Sequence, residues 1–119
     1  MNYVDGFLLV VAKKNLKAYR SLAQKAGKVW REHGALQFTE CVGDDLAIKM
    51  GIPFPRRVAA KAGETVVFSW IVYKSRAQRD AVNAKVMADP RMLKMMTMKM
   101  HPFDCERMSF GGFKVLVDA

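Results

Sequence analysis

The hydrophobic pattern of the chain opens with a short apolar run and then changes to helical spacing. Residues 3–11, "YVDGFLLVV", are rich in β-branched and aromatic side chains and are followed by polar "KKN", which predicts a strand. From Leu16 the spacing changes to steps of three and four, which predicts an amphipathic helix. Its periodic positions are Leu16, Tyr19, Leu22, Ala23, Ala26, Val29, Trp30 and His33. Gly34 follows them and suits the left-handed conformation that ends a helix.

The middle of the chain contains two more strand signals and a long connection between them. The segment "ALQFTECV" (35–42) predicts a second strand, and "ETVVFSWIVY" (64–73) predicts a third, the most apolar of the chain. Between them, Gly43–Gly63 contains three glycines, two prolines and no sustained period. Connections of this length inside a small domain are often functional lids or mobile loops.

A second helix and a last strand complete the pattern. Ser75 with Gln78 three residues later forms a capping box, an alanine-rich helix follows, and Asp89-Pro90 is expected to stop it. The segment "RMSFGGFKVLV" (107–117) predicts the final strand. The order strand, helix, strand, strand, helix, strand predicts a single α+β domain over residues 1–119, with the ferredoxin-like βαββαβ arrangement and an antiparallel four-stranded sheet.

In this arrangement the first and third strands are central, and they are also the most apolar. Successive side chains of a strand point to opposite sides of the sheet. The third strand therefore places Phe68 and Trp70 on one side and Val67 and Ile71 on the other. Two helices cover only one side of such a sheet, so we expect an uncovered apolar face that packs against the sheet of a second copy. The predicted assembly is a homodimer.

The chain is basic, with 20 Lys and Arg against 11 Asp and Glu and a formal net charge of +9. A positive field attracts polyanions, which keeps an RNA-associated protein as an alternative. The basic residues are spread out, however, at Lys13, Lys14, Lys17, Arg20, Lys25, Lys28, Arg31, Arg56, Arg57, Arg76, Arg79, Lys94 and Lys99. The segment "RMSFGGFKVL" resembles the RNA-stacking strand of RRM domains, but there that motif lies on the third strand, ahead of the second helix. We therefore expect nucleic acid not to be the main partner.

The cysteine content and the N-terminus predict a cytoplasmic protein. Only Cys41 and Cys105 are present, and the N-terminal segment lacks the basic region and cleavage site of a signal peptide. The longest apolar runs, "FLLVVA" and "VVFSWIVY", are much shorter than the roughly 20 residues of a membrane helix. We expect no membrane partner.

Four segments, "YVDGF", "FSWIVYKSRAQRDAVNAKVMADPR", "HPFDCERM" and "GGF", resemble the YbaA-like family of uncharacterised bacterial proteins, a domain-of-unknown-function group. The resemblance covers essentially the whole chain. It implies the dimeric α/β barrel superfamily, in which two ferredoxin-like protomers join sheet to sheet around an internal cavity. Members of that superfamily include haem-degrading, quinol and polyketide monooxygenases that act without a separate cofactor. This chain departs from the family pattern at His101 and at Cys105, where glycine is commoner.

We expect the cavity to bind a small apolar or anionic molecule and to need no cofactor. A cofactor-independent enzyme of the monooxygenase or isomerase type is the alternative, and whether the protein is an enzyme stays open. The candidate ligand-binding residues are Asp5, Phe7, Phe38, Glu40, Phe54, Trp70 and Met108. The Gly43–Gly63 connection is expected to form the rim of the cavity.

Two of these candidates have competing interpretations. Asp5 interrupts an apolar inner strand, where an unpaired carboxylate is costly to bury. It is either a base whose pKa is raised by burial or a structural acid bonded to backbone near the start of the strand. Trp70 resembles the tryptophan of the superfamily's active sites, but the histidine of the haem degraders belongs on the second helix, which here contains none. We expect Trp70 to be an aromatic residue of the cavity or of the dimer core.

Six of the nine methionines lie within Met92–Met108, "MLKMMTMKMHPFDCERM". Methionine thioethers can bind copper(I), but His33, His101, Cys41 and Cys105 lack the paired spacing of zinc ligands. Methionine also fills irregular apolar spaces and repacks readily. The segment therefore predicts a pliable apolar wall at the mouth of the cavity, formed by Met92, Met95, Met96, Met98 and Met100, and no metal site.

Overall fold

The computed structural model describes residues 2–98 and 101–119, which form a four-stranded antiparallel sheet covered by helices. The strands are β1 (Tyr3–Ala12), β2 (Gln37–Val42), β3 (Glu64–Tyr73) and β4 (Ser109–Lys114). The helices are α1 (Leu16–Glu32), α2 (Phe54–Arg57), α3 (Arg76–Met87) and α4 (Pro90–Met96). The strand order is β2-β3-β1-β4. This order confirms the predicted ferredoxin-like α+β arrangement, with the first and third strands at the centre.

The bounds of the last strand differ from the prediction at both ends, and the reason differs at each end. The predicted strand at 107–117 is longer than β4 at both ends. Arg107 lies in a 3₁₀ turn before β4 and binds Glu64 at 2.6 Å instead of extending the ladder. At the other end, Lys114 pairs with Tyr3, the first residue of β1, and beyond this pair the Val115 N–H donates to the Asn2 backbone oxygen at 3.2 Å.

The segment after α3 is helical where the sequence predicted a stop. α3 ends at Met87 as expected, but Pro90 begins α4, and the side chain of Asp89 accepts a hydrogen bond from the Arg91 N–H at 2.9 Å. Proline suits the first turn of a helix because its missing N–H has no intrahelical partner there. Asp89 and Pro90 thus end one helix and begin the next, which carries three of the methionines.

Helices α1, α3 and α4 pack on one face of the sheet, the inner face. The odd-numbered residues of β1 and β3 point to this face. One buried cluster contains Tyr3, Val29, Ala35, Ile71, Tyr73, Val82, Val86 and Met92, and a second contains Leu9, Val11, Tyr19 and Val67. Burying these side chains supplies the main driving force for folding.

The opposite face of the sheet, the outer face, is also apolar; it is covered at Val10 and Val66, which are 3% exposed, and less so elsewhere. It contains Val4, Leu8, Val10, Val66, Phe68, Trp70, Val72 and Phe113. The short helix α2, within the Gly43–Gly63 connection, places the ring of Phe54 6.3 Å from that of Phe68. Phe68 still exposes 47% of its surface and Phe113 exposes 62%. Apolar residues at both parities of β3 were predicted, and the structure confirms this.

A buried ion pair ties α3 to the centre of the inner face. Asp5 is 4% exposed, and its Oδ1 accepts a hydrogen bond from Arg79 Nη1 at 2.8 Å. The Arg79 guanidinium also lies 4.9 Å from the centre of the Tyr3 ring, a cation–π contact. Burial raises the pKa of Asp5, and the positive charge of Arg79 partly counters this. Asp5 is therefore held by a side chain of α3.

A second polar contact continues from this pair and joins both long helices to the sheet. Asn83 Oδ1 accepts hydrogen bonds from Trp30 Nε1 at 3.0 Å and from the Tyr73 hydroxyl at 3.2 Å. Trp30 belongs to α1, Asn83 to α3 and Tyr73 to β3. Buried polar groups cost little when their hydrogen bonds are satisfied, so this contact orients the two helices without exposing either to water.

Removing the charge of Arg79 is predicted to destabilise the fold strongly. In the Arg79→Ala variant the buried Asp5 carboxylate loses its partner, and breaking such a pair typically costs about 3–5 kcal/mol. Arg76→Ala is the matched control, since Arg76 is exposed on the same helix and surface changes usually cost within about 0.5 kcal/mol. Chemical denaturation measures both, and equal stability of the two variants would contradict the structural role of the pair.

Candidate functional site

A cavity of about 250 Å³ lies between α1 and the inner face of the sheet. Most of its lining is aliphatic, aromatic or methionine side chains. The strands contribute Phe7, Leu9, Phe38, Glu40, Ser69 and Ile71, and the helices contribute Tyr19, Leu22, Ala23, Ala26, Trp30, Met92, Met95 and Met96. The segment before β4 adds His101, Phe103, Cys105 and Met108. Such a space, apolar with a few polar groups, is typical of small-molecule sites.

Small residues of α1 make room for the cavity. Ala23 and Ala26 face it and leave space that larger side chains would fill. Next to them the helix lies so close to the sheet that a Cβ built at Gly27 would be 2.7 Å from Cδ1 of Phe38. The close approach at Gly27 fixes the height of α1 above β2, and the alanines on the adjacent side leave the cavity open beneath it.

Glu40 is the carboxyl group that faces the cavity. It lies on β2 opposite Ser69 of β3, and its Oε1 accepts a hydrogen bond from the Tyr19 hydroxyl of α1 at 2.6 Å. Burial raises the pKa of Glu40, while the hydrogen bonds from Tyr19 and Ser69 partly counter that effect. Burial and the neighbouring carboxylate also raise the pKa of Tyr19, so this hydroxyl stays protonated as a donor.

This arrangement can bind or accept a proton. A carboxylate in apolar surroundings is poorly solvated, and a ligand hydroxyl that donates to it replaces lost water. With its pKa raised, the same group is better matched to take a proton from a weakly acidic ligand at neutral pH. Tyr19 holds Oε1 in place, and a carboxylate has more acceptor sites than Tyr19 and Ser69 fill, so a ligand hydroxyl can still donate to it.

The structure brings four of the predicted site residues together at the cavity. Phe7, Phe38, Glu40 and Met108 all line it. They come from β1, β2 and the segment before β4, which are distant in sequence and meet only through strand pairing.

Of the other three predicted site residues, Trp70 touches the cavity and the other two lie away from it. Trp70 borders the cavity, but its ring is 5.6 Å from that of Phe68, on the outer face. Phe54 contacts Phe68 on that same face. Asp5 lies on the inner face but is engaged by Arg79. These placements assign Trp70 and Phe54 to the outer face and Asp5 to the support of α3.

The methionine segment lines one side of the cavity. Met92, Met95 and Met96 of α4 contribute to it together with Met108, whereas Met98 does not line it; Met96 and Met98 are both largely exposed. Met100 lies outside the described residues. The ring of Phe103 packs edge-on against Tyr19 at 5.4 Å, which connects this segment to the Tyr19–Glu40 pair.

Sequence reasoning missed Tyr19, Ser69, Ala23 and Ala26 as cavity residues. The spacing of Tyr19 and the two alanines indicates only that they belong to the apolar face of a helix, and the structure places them on that face. What makes Tyr19 a cavity residue is its hydrogen bond to Glu40, 21 positions away in the chain. This bond depends on the height and rotation of α1 over the sheet. Spacing alone does not reveal that.

Among residues 2–98 and 101–119, no group of three His, Cys, Asp or Glu side chains lies close enough together to hold a metal ion. Within the same ranges, no helix has the length and apolar character needed to cross a membrane.

The buried position of Glu40 predicts a characteristic pH dependence of stability. The folded protein holds the Glu40 proton to a higher pH than the unfolded chain, whose carboxyl has its ordinary pKa of 4.5. As pH rises above that value, the unfolded chain loses its proton first and Glu40 costs increasing stability, until the folded carboxyl also ionises. The difference in melting temperature between Glu40→Gln and the native protein should therefore increase in favour of the variant as pH rises through this window. Glu106→Gln, at an exposed carboxylate, is the control, and a pH-independent difference for Glu40→Gln would contradict its burial.

Comparison with known proteins places the chain in a family. The model of the DUF1428 family, described as a protein of unknown function, matches residues 2–105. The uncharacterised protein YbaA of Escherichia coli strain K12 is 43% identical over 118 residues, which cover 99% of both chains. This match agrees with the resemblance to the YbaA-like proteins noted in the sequence.

Solved structures of lower identity share the fold. A dimeric ferredoxin-like protein from an uncultured marine organism aligns with a TM-score of 0.61 and 14% identity, covering all of both chains. SnoaB, a cofactor-independent oxygenase from Streptomyces nogalater, aligns with a TM-score of 0.62 and 14% identity over 98% of this chain and 95% of its own. The family model and the 43% identical relative lead to one assignment: the chain belongs to the DUF1428 family.

Proposed function

We propose that the protein binds a small aromatic molecule bearing a hydroxyl group, in the cavity between α1 and the sheet. The observation that carries this proposal is Glu40, a half-buried carboxyl held by Tyr19 against an otherwise apolar space. In another protein an apolar cavity of about 150 Å³ binds benzene. The larger cavity here, of about 250 Å³, suits a body of two fused rings.

The lining favours an aromatic body over a flexible chain. Phe7, Phe38, Trp30 and Phe103 surround the space, and aromatic pairs gain about 0.5–1.5 kcal/mol beyond the burial of their area. The methionines of α4 have flexible, polarisable side chains that adapt to the outline of the ligand. The ligand hydroxyl supplies a further donor to the Glu40 carboxylate, beside Tyr19 and Ser69.

A cofactor-independent enzyme activity is the second candidate. Glu40 favours it, since a carboxyl with a raised pKa beside a bound hydroxyl is placed to remove a proton. The structurally similar SnoaB is a cofactor-independent oxygenase. At 14% identity this likeness concerns the fold, so the activity rests on Glu40. An RNA-associated role and the cytoplasmic location stay predictions of the sequence.

Binding of 1-naphthol is expected, and it should depend on the volume beneath α1. Ala26→Phe puts a ring into the cavity and should weaken binding by about tenfold or more, equivalent to about 1.4 kcal/mol. Ala18→Phe is the matched control, because Ala18 is exposed on the same helix. Isothermal titration calorimetry gives both affinities.

Naphthalene, which lacks the hydroxyl, should bind the native protein and Glu40→Gln equally, whereas 1-naphthol should prefer the native protein. If Glu40→Gln changes the affinities of both ligands by the same factor, Glu40 does not bind the hydroxyl group.

We also propose that two copies associate through their outer faces. Phe68 and Phe113 are about half or more exposed on this face, and Trp70 lies beside them. Contiguous apolar patches of this kind usually mark an interaction surface. The similar marine protein is dimeric. A second copy supplies a surface of the same apolar character, so it is the occupant we propose.

The dimer is tested by a charge on the outer face. Phe68→Glu is expected to give a monomer, because association would bury an unpaired carboxylate. Leu93→Glu, on α4, is the control, since Leu93 is 49% exposed and Phe68 is 47% exposed. Light scattering should show twice the chain mass for the native protein and for Leu93→Glu. A native protein that stays monomeric at micromolar concentration would refute the proposal.

A further inference from the structure

A second concave site lies beside the cavity, on the side of α1 that faces the edge of the sheet. This groove, about 580 Å³ in volume, runs between α1 and β2. Its apolar floor comes from Leu16, Ala23, Phe38, Val42 and Val67. Its upper rim is a polar stripe of α1 formed by Arg20, Gln24, Lys28 and Arg31. An apolar floor under a cationic rim suits a ligand segment with an anionic end.

Two of the rim cations are available to a ligand. Arg31 is engaged, since its Nη1 donates to the backbone oxygens of Ala35 and Leu36 beyond the end of α1. Within residues 2–98 and 101–119, Arg20 and Lys28 form neither an ion pair nor a side-chain hydrogen bond. They lie eight residues, about 12 Å along the axis, apart on one side of α1, and their long side chains can both extend toward an anion held between them.

The groove and the cavity meet at a shared wall. Tyr19, Ala23, Phe38 and Glu40 line both of them. Part of this wall is tightly packed, where Gly27 approaches the ring of Phe38. The other part is the single hydrogen bond from the Tyr19 hydroxyl to Glu40 Oε1, which crosses from α1 to β2. A hydrogen bond between side chains can open by rotation, whereas packed backbone cannot, so the passage lies at Tyr19 and Glu40.

We propose that the natural ligand is amphipathic, with an aromatic body in the cavity and a flexible tail that passes Tyr19 and Glu40 to place an anionic group in the groove between Arg20 and Lys28. This inference rests on the proposed function and extends it, because it names the charge of the ligand and the position of that charge. Glu40 repels an anion at the passage itself. The anionic group is therefore directed to the cationic rim, away from the cavity.

The test uses a series of 1-naphthyl alkanoic acids of increasing chain length together with their methyl esters. Each acid and its ester share the aromatic body and the tail and differ in the negative charge. Once the tail reaches the rim, the acid should bind more tightly than its ester by about tenfold, as expected for two exposed ion pairs. Shorter acids should bind no better than their esters. This preference should shrink as salt is added, because exposed charges are screened.

Two double variants locate the effect. Arg20→Gln with Lys28→Gln should abolish the preference for the acid and leave the affinity for 1-naphthol unchanged. Lys25→Gln with Lys85→Gln removes the same charge from exposed lysines outside the groove lining and should retain the preference. In Ala26→Phe the acids should lose affinity together with 1-naphthol, because body and tail bind as one ligand.

The possible failures are distinguishable. If 1-naphthol binds in the cavity but acids and esters bind equally at every length, the groove inference is wrong and the proposed function stands. An acid preference that both double variants lose equally would reflect net charge alone and would also overturn the inference. If neither 1-naphthol nor the acids bind in a manner sensitive to Ala26→Phe, both proposals are wrong.

Discussion

The structure depends on one constraint: the helices α1, α3 and α4 cover a single face of a sheet whose central strands are apolar on both faces. On the covered face, the clusters around Tyr73 and Val11 supply the core. On the other face, Phe68 and Phe113 stay largely exposed. A sheet of this kind has one side left for association, while any internal site must lie beneath the helices. The proposed dimer and the cavity both follow from this division.

Within the covered face, polar contacts set where the helices lie. The pair of Asp5 with Arg79 anchors α3, and the bond from Tyr19 to Glu40 joins α1 to β2. The two carboxylates differ in their surroundings. Asp5 faces a permanent positive charge and has a structural role, whereas Glu40 has a neutral donor beside an open space. Of the two, Glu40 is therefore the group able to respond to a ligand.

The sequence predicted the arrangement of strands and helices because each element has a strong local signal. The bounds of β3 match its apolar run, and the side chain of Ser75 accepts a hydrogen bond from the Gln78 N–H as a capping box requires. The sequence also named Phe7, Phe38, Glu40 and Met108, but for a cavity between two sheets, whereas they line the space beneath α1. Local signals left Trp70 open between the cavity and the dimer core, since a strand with apolar residues at both parities does not reveal which face the helices cover. They were insufficient for Tyr19, whose role depends on how α1 lies over β2.

A crystal structure of the protein grown with 1-naphthol tests the central claim most directly. Our account predicts the fused rings between α1 and the sheet, against Phe7 and Phe38, with the hydroxyl oxygen within hydrogen-bonding distance of Glu40. The bond from Tyr19 to Glu40 should persist, because a carboxylate has acceptor sites for both donors. A naphthol bound only on the outer face, or a cavity filled by the methionine side chains of α4 with no ligand in it, would contradict the account.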